Sequence, residues 1–358
     1  MNFDLSEEQE LFTSTVERFT APIDVDARHG LRGHEKGYDP ARWSELAELG
    51  LIALGAPEEA GGMGGSPLDL ALVGEALGKG NSPDPWLENG ILPALLLAAA
   101  GANDVLENVL SGEGVVAAAW AERNQRYNWT PAGTKLAGGT INGEKTFVLG
   151  AALADHFIVT ALDGGKTAFF LIPADRKGMD LRQYRLADGS ISGEVRLLNV
   201  AVTDEDRLDI SADALAKATA DMRLLISAEL LGLGQRLLDD TIAYVKEREQ
   251  FGVPIGSFQA LQHRLVDCYG RIEQSRSMVY RTALAASDDP DSASAAAAGA
   301  KAYVTQQVDH VAREAVQMHG GMGITDELAI GHAMKRVLVL TSLFGDVDTN
   351  LADYASAA

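Results

Sequence analysis

The chain has 358 residues, 46% hydrophobic and 23% charged, which is enough to bury a large core and too apolar for a disordered chain. A formal charge of -21 excludes nonspecific nucleic-acid binding, which needs Lys and Arg in excess, and no apolar run is long enough to enter and cross a bilayer. The single cysteine, Cys268, excludes an internal disulfide framework and reads as a small buried hydrophobe, while His310 and His319 lack metal-ligand spacing.

The opening stretch, MNFDLSEEQELF, is acidic and has neither the basic start nor the apolar run of a signal peptide, so a soluble cytoplasmic protein is expected. Ser6 and Gln9 stand at capping-box spacing, and Leu11, Phe12, Val16 and Phe19 follow at helical period. Residues 1–112 read as a helical domain. Within it Pro57 and the cluster GGMGG break an apolar run, and Ser66-Pro67 opens another helix with Pro at its first position. The glycine cluster lacks the Gly-Lys-Ser/Thr ending and the preceding β-rich run of a phosphate loop, and reads as a tight loop.

From 113 to 206 the pattern changes to short β-rich runs: GVVAAAW, TKLAGGTINGEKTFVLGA, HFIVTAL, TAFFLIP and EVRLLNVAV. These predict a central antiparallel β-domain, and hence an α+β chain. From 207 to 358 the helical period returns, with long helices at about 211–250, 257–286 and 292–318. The Ser and Asp residues of SDDPDSASAAAAGA fit a helix–helix loop and its alanines a helix start.

That order, with REQFGVPIGSFQALQHRLVD (Arg248 to Asp267) and QMHGGMGITDELAIGH (Gln317 to His332), resembles the acyl-CoA dehydrogenase family over nearly the whole chain. FDLSEEQELF and LGLIALGAPEEAGGMGG are similar to that family's N-terminal helices. The resemblance implies an N-terminal helical domain, a central β-domain and a C-terminal four-helix bundle through which subunits pair. It also implies FAD and the removal of hydrogens from Cα and Cβ of an acyl-CoA thioester, with reoxidation by electron-transferring flavoprotein. In that chemistry a carboxylate takes the Cα proton while hydride leaves Cβ for flavin N5, and hydrogen bonds polarise the thioester oxygen.

By the same resemblance Arg248, Gln250 and Phe251 fall at the R-x-T-F-G motif that reaches the FAD of a neighbouring subunit, and Gln259 belongs to that site. Arg suits a pyrophosphate because its planar fork donates two bonds; the plain alternative is a surface arginine ending a helix. Gln317, Gly320, Gly321 and Gly323 match the Q-x-x-G-G-x-G segment that contacts the neighbour's dinucleotide. Glycines there admit close backbone approach, and a helix C-cap turn explains them equally well.

The chain departs from the family where its own chemistry would sit. Counting from Gln317 puts Phe344 at the position of the glutamate base in Tyr-Glu-Gly-Thr, and Met222 at the alternative base position on the first long C-terminal helix. Two carboxylates are candidate substitutes: Asp346, two residues on, and Glu229, which in an apolar stretch is also suited to pairing with a basic residue of the bundle. In the β-domain Glu122 survives from T/S-E-x-x-x-G-S-D, while the Gly-Ser-Asp is replaced around Arg126-Tyr127-Asn128. Leu149 stands where a hydroxyl is expected to bond the flavin and has no side-chain donor.

Residues for this chain's own site are changed and those for a neighbour's flavin remain, which resembles the smaller non-catalytic subunits of heteromeric (α2β2) acyl-CoA dehydrogenases, including those of bacterial steroid side-chain and dicarboxylate degradation. The expectation is a partner subunit working with a second acyl-CoA dehydrogenase chain. The alternatives are a homo-oligomeric dehydrogenase with a relocated base, Glu229 or Asp346, and an acyl-CoA-binding scaffold without redox chemistry.

Overall fold

The computed structural model describes residues 5–21, 23–34, 37–123, 125, 127–288 and 290–357. Among them the α-helices are, in order, α1 (Glu7–Phe19), α2 (Val25–Gly33), α3 (Pro40–Glu48), α4 (Pro67–Gly80), α5 (Leu92–Ala100), α6 (Asn103–Leu110), α7 (Ala212–Glu247), α8 (Gln259–Asp288), α9 (Pro290–His319), α10 (Ala329–Thr341) and α11 (Val347–Ser356). The strands are β1 (Val116–Ala119), β2 (Lys135–Ala137), β3 (Thr140–Leu149), β4 (His156–Asp163), β5 (Lys166–Pro173), β6 (Met179–Arg185), β7 (Ile191–Ala201) and β8 (Arg207–Leu208), with a separate two-stranded ribbon, β9 (Glu249–Gln250) and β10 (Val253–Pro254). No helix among the described residues is long and apolar enough to cross a membrane.

Local chemistry sets the helix starts. Ser6 Oγ accepts from Gln9 N and Gln9 Oε1 accepts from Ser6 N, both at 3.1 Å, closing the expected capping box of α1. Ser66 and Asp69 repeat the device at α4, with Pro67 in the first turn. The glycine cluster folds back on its own chain, Met63, Gly64 and Gly65 donating to Ala53, Ala56 and Leu54 carbonyls at 2.8–3.0 Å, so those amides are spent inside a tight loop. The expected loop at SDDPDS is shorter than read. α8 continues to Asp288 and α9 begins at Pro290, where a proline costs no intrahelical bond; Asp289 lies outside the described residues.

The chain divides into two compact units. The first comprises Met1–Gly30, Ser66–Ser82 and Thr219–Ala358, and is helical. Its core is aliphatic, with Leu225, Ile226 and Leu230 of α7, Ile272 of α8, Val304 and Val308 of α9 and Leu340 of α10 all at or below 1% exposure. Helices α4 and α7 meet backbone to backbone: a Cβ on Gly78 would lie 2.1 Å from Glu229 O, and one on Gly232 1.9 Å from Glu75 O. Glu75 then ties α4 to α8 through Arg276 and the Tyr280 hydroxyl, the latter at 2.9 Å.

The second unit, Leu31–Gly65 and Pro83–Ala218, contains the sheet, in strand order β6-β7-β3-β2-β4-β5-β8 with β1 on β4. Five strand pairs are antiparallel as expected, but β1 runs parallel to β4 from Val116↔His156 to Ala119↔Val159, and β2 meets β4 in parallel at Lys135↔Leu162. The sheet is therefore mixed. The long loop and hairpin separating β1 from β4 leave their relative direction open, which strand patterning does not report. Strand β6, MDLRQYR, was not expected: its residues are half-buried or exposed, and its outer edge carries too many polar groups to alternate cleanly. Phe157, Val159 and Phe170 with Ile141, Val195 and Leu197 form the core of the sheet.

Candidate functional site

The last turn of α7 feeds directly into the ribbon. Arg248 N donates to Tyr244 O and Ile255 N to Arg248 O, both at 2.8 Å, and the two-residue tip Phe251-Gly252 has φ +57° and +80°. Positive φ at both tip residues is the twist-matched hairpin turn, natural for Gly and unfavourable for a bulky aromatic. Phe251 is nonetheless 93% exposed, its ring meeting only Phe258 edge-on at 6.2 Å among the aromatic contacts. Arg248 is exposed, and its guanidinium makes no hydrogen bond or ion pair among the described residues. Gln250 donates to Glu249 O at 2.8 Å, a local bond, and Gln259 opens α8 exposed to solvent.

At the end of α9, His319 is followed by Gly320 at φ +63° and a 3-10 turn to Ile324. Gly323 is buried, and a Cβ there would lie 2.7 Å from Val316 O, so this chain's own packing requires it. Gly321 is different: it is exposed, has ordinary φ, and nothing lies within 4 Å of an added Cβ. Gln317 is exposed as well. The Tyr244 and His319 rings stack at 4.2 Å and 24°, which joins the ends of α7 and α9 and so gathers the ribbon and the glycine turn at one end of the helical unit. An uncommitted guanidinium, three exposed glutamines and a glycine without a packing role fit a phosphate-bearing dinucleotide.

The structure links the segments of Met222 and Phe344, the two positions at which the family resemblance leads one to expect a carboxylate. Met222 and Phe344 are 2% and 6% exposed, and Arg223 Nε, adjacent to Met222, donates to Phe344 O at 3.1 Å. Phe344 at φ +53° and Gly345 at φ +108° turn the chain sharply into α11. Neither side chain at these positions can accept a proton. Asp346 Oδ1 takes the Thr349 amide at 2.9 Å and its hydroxyl at 2.7 Å, so this carboxylate caps α11. Glu229 accepts from Arg336 Nε at 2.7 Å and from a terminal nitrogen at 3.1 Å, a buried bidentate pair between α7 and α10 of the kind expected for it. Behind the turn, Lys301 is 1% exposed, with Nζ 3.0 Å from Thr305 Oγ1 and 3.4 Å from Thr341 O. Burial first, and the Arg223 charge second, pull its ammonium down to about 7.

In the sheet unit Glu122 is structural. It accepts the backbone amides of Ala132, Gly133 and Thr134 at 2.7–3.1 Å and Lys145 Nζ at 2.8 Å, while Lys145, fully buried, also reaches Thr160 Oγ1 at 2.9 Å. Burial raises the Glu122 carboxyl, but the bonds from Lys145 and the Gly133 amide outweigh it and bring the group to about 2. Lys145 was not read as a site residue, although it stands at the same inward parity as Ile141. Leu149 pairs across the ladder with Ser192 and offers only aliphatic carbon. Asn128 closes a side-chain turn onto Thr130 N at 2.9 Å, and Trp129 stacks on Trp120 at 4.6 Å; Arg126 lies outside the described residues. Cys268 is buried in α8, and burial together with the Glu314 charge pushes its thiol up to about 11, which makes it inert.

A helical N-terminal segment, a mixed sheet and a long C-terminal helical array, with open polar groups at one helical end, define a helical–β–helical α+β protein. Comparison with known proteins makes the class specific. The model described as "Acyl-CoA dehydrogenase, N-terminal domain" matches residues 6–112, and "Acyl-CoA dehydrogenase, C-terminal domain" matches residues 213–358. Acyl-CoA dehydrogenase IpdE2 of Mycolicibacterium smegmatis is 34% identical over 95% of this chain and 96% of its own length. Probable acyl-CoA dehydrogenase YngJ of Bacillus subtilis is 30% identical over 94% and 93%. Two solved structures are similar throughout: the Tcur3481-Tcur3483 steroid ACAD variant, with TM-score 0.88, 26% identity and coverage of 98% and 97%, and the ChsE4-ChsE5 complex from Mycobacterium tuberculosis, with TM-score 0.87, 26% identity and coverage of 99% and 98%. The chain belongs to the acyl-CoA dehydrogenase family, whose members carry out flavin-dependent dehydrogenation with FAD.

Proposed function

We propose that this chain is a partner subunit of a heteromeric acyl-CoA dehydrogenase that acts on the Cα–Cβ bond of an acyl-CoA thioester, and that it lends FAD contacts to a second, catalytic chain. The observation that carries this reading is the state of the base positions. Met222 and Phe344 are apolar and buried, Glu229 is held by Arg336 and Asp346 caps α11, so neither substitute carboxylate is free to take the Cα proton. FAD, when bound, supplies the acceptor for the Cβ hydride. Within this chain Arg248 offers two donors to a pyrophosphate, and Gln250, Gln259 and Gln317 offer amide bonds around it. Gly320 and Gly321 let the backbone approach, Gly323 keeps their turn closed against Val316, and Phe251 covers the cofactor against water.

The two-name complexes among the similar structures support a heteromer, and an α2β2 arrangement with electron-transferring flavoprotein as reoxidant belongs to the same proposal. The division at about 112 and 206 into helical, β and bundle domains, and a cytoplasmic location, belong to the same reading.

The test is the visible absorption spectrum of the chain purified alone and after coexpression with a second acyl-CoA dehydrogenase chain, with flavin counted per chain. Little flavin alone, regained in the coexpressed assembly, is expected. One flavin per chain and full activity in a homo-oligomer would overturn the partner role in favour of a self-sufficient dehydrogenase.

A further inference from the structure

We propose that Tyr244 and His319 are positioning residues, a stacked pair that fixes the spacing between the Arg248 ribbon and the Gly320–Ile324 turn so that both meet one dinucleotide. This rests on the reading of those two segments as flavin contacts.

Each ring sits one step from a contact segment. Tyr244 lies one helical turn before Arg248 and its carbonyl accepts the Arg248 amide at 2.8 Å, so the direction in which Arg248 leaves α7 is tied to the Tyr244 backbone. His319 directly precedes Gly320, and the turn closes back over it: a Cβ on Gly323 would lie 3.0 Å from His319 Cβ. The imidazole is itself oriented, because Nδ1 lies 2.8 Å from Ala315 O and a carbonyl accepts only from a protonated nitrogen. The rings then meet face to face at 4.2 Å and 24°. Contact across the whole of both flat faces holds only while the ends of α7 and α9 keep this spacing.

A dinucleotide presents its pyrophosphate and its rings at a set separation, and misplacing one contact segment by about 1 Å degrades the whole constellation. Arg248, Gln250, Phe251 and Gly252 are all exposed, and beyond its own ladder the ribbon bonds to α7 and to the 3-10 turn Ile255–Ser257, not to α9. The ring pair supplies a lateral brace between α7 and α9 at this end of the unit.

The experiment measures FAD affinity by flavin fluorescence in the apo form of the assembly in which the chain is isolated, for wild type, Tyr244→Leu, Tyr244→Phe, His319→Leu and Arg248→Ala, with thermal unfolding of each recorded alongside. Both leucine variants are expected to bind FAD roughly two- to tenfold more weakly at nearly unchanged melting temperature, and Tyr244→Phe, which keeps the flat face, to bind as wild type does. If Arg248→Ala weakens binding and the leucine variants do not, the positioning role is wrong and the assignment of the contact segments stands. If Arg248→Ala is also without effect, both fall. If both leucine variants lose the folded bundle, the pair is an ordinary core contact and the positioning role is overturned.

Discussion

With Arg336 at 2.7 and 3.1 Å, the Glu229 carboxylate has both oxygens engaged, and its removal takes a bidentate carboxylate from a buried guanidinium. Glu229→Gln is expected to lower unfolding free energy by about 3 kcal/mol or more while leaving substrate-dependent flavin bleaching in the native assembly intact. Urea unfolding and rapid-mixing spectroscopy read the two separately; lost bleaching at unchanged stability would restore Glu229 as a base. Glu122 carries a pH signature. Its folded carboxyl is brought from 4.5 to about 2, so its contribution is fully present above about pH 4.5 and disappears as pH falls through about 2. Glu122→Gln strands the buried Lys145 and is expected to cost about 3 kcal/mol at neutral pH, a deficit that narrows between pH 4.5 and 2 because the wild type then loses its own carboxylate. Stability measured against pH for both proteins checks this, and parallel curves would contradict it.

At the level of elements, the α4–α7 crossing has no room for a side chain. Gly232→Ala would place a methyl 1.9 Å from Glu75 O, and separating the helices is expected to lower stability by about 1–3 kcal/mol, seen as a lower urea midpoint at constant slope. The helices themselves were legible: 3.6-residue periodicity marks α7, α8 and α9, and the Ser6 capping box and the Ser66-Pro67 step mark two starts before any tertiary contact is considered. The direction of β1 was not, since parallel and antiparallel ladders bury the same residues. Nor was β6, whose polar edge carries little of the core. Motif counting singled out Met222 and Phe344, but not that Arg223, beside the one, bonds the carbonyl of the other across 121 residues of sequence, nor that Lys301 is buried within reach of Thr341 O. Those contacts are created by helix packing and leave no local pattern. The same holds for the Tyr244 and His319 stack.

For the whole molecule, the ribbon tip opposes folding and assembly to each other. Phe251 is 93% exposed at φ +57°, a conformation that costs a non-glycine residue about 1 kcal/mol and leaves an aromatic ring in water. Phe251→Gly is therefore expected to stabilise the isolated chain slightly, or leave it unchanged, while weakening flavin retention in the assembly. Melting of the lone chain and flavin release from the complex test the two halves, and a destabilised lone chain with normal flavin retention would show that the tip serves this fold instead.

Helix α7 carries both ends of this molecule's business on one rod. From Met222 to Glu247 it rises about 38 Å without a break, so Met222 and the Arg248 ribbon are held several Debye lengths apart by a single rigid element. Substitutions at the two ends share no partner and should add in free energy. A carboxylate introduced at Met222 and a charge removed at Arg248 then become independent controls over the two ends of one helix, each readable without disturbing the other.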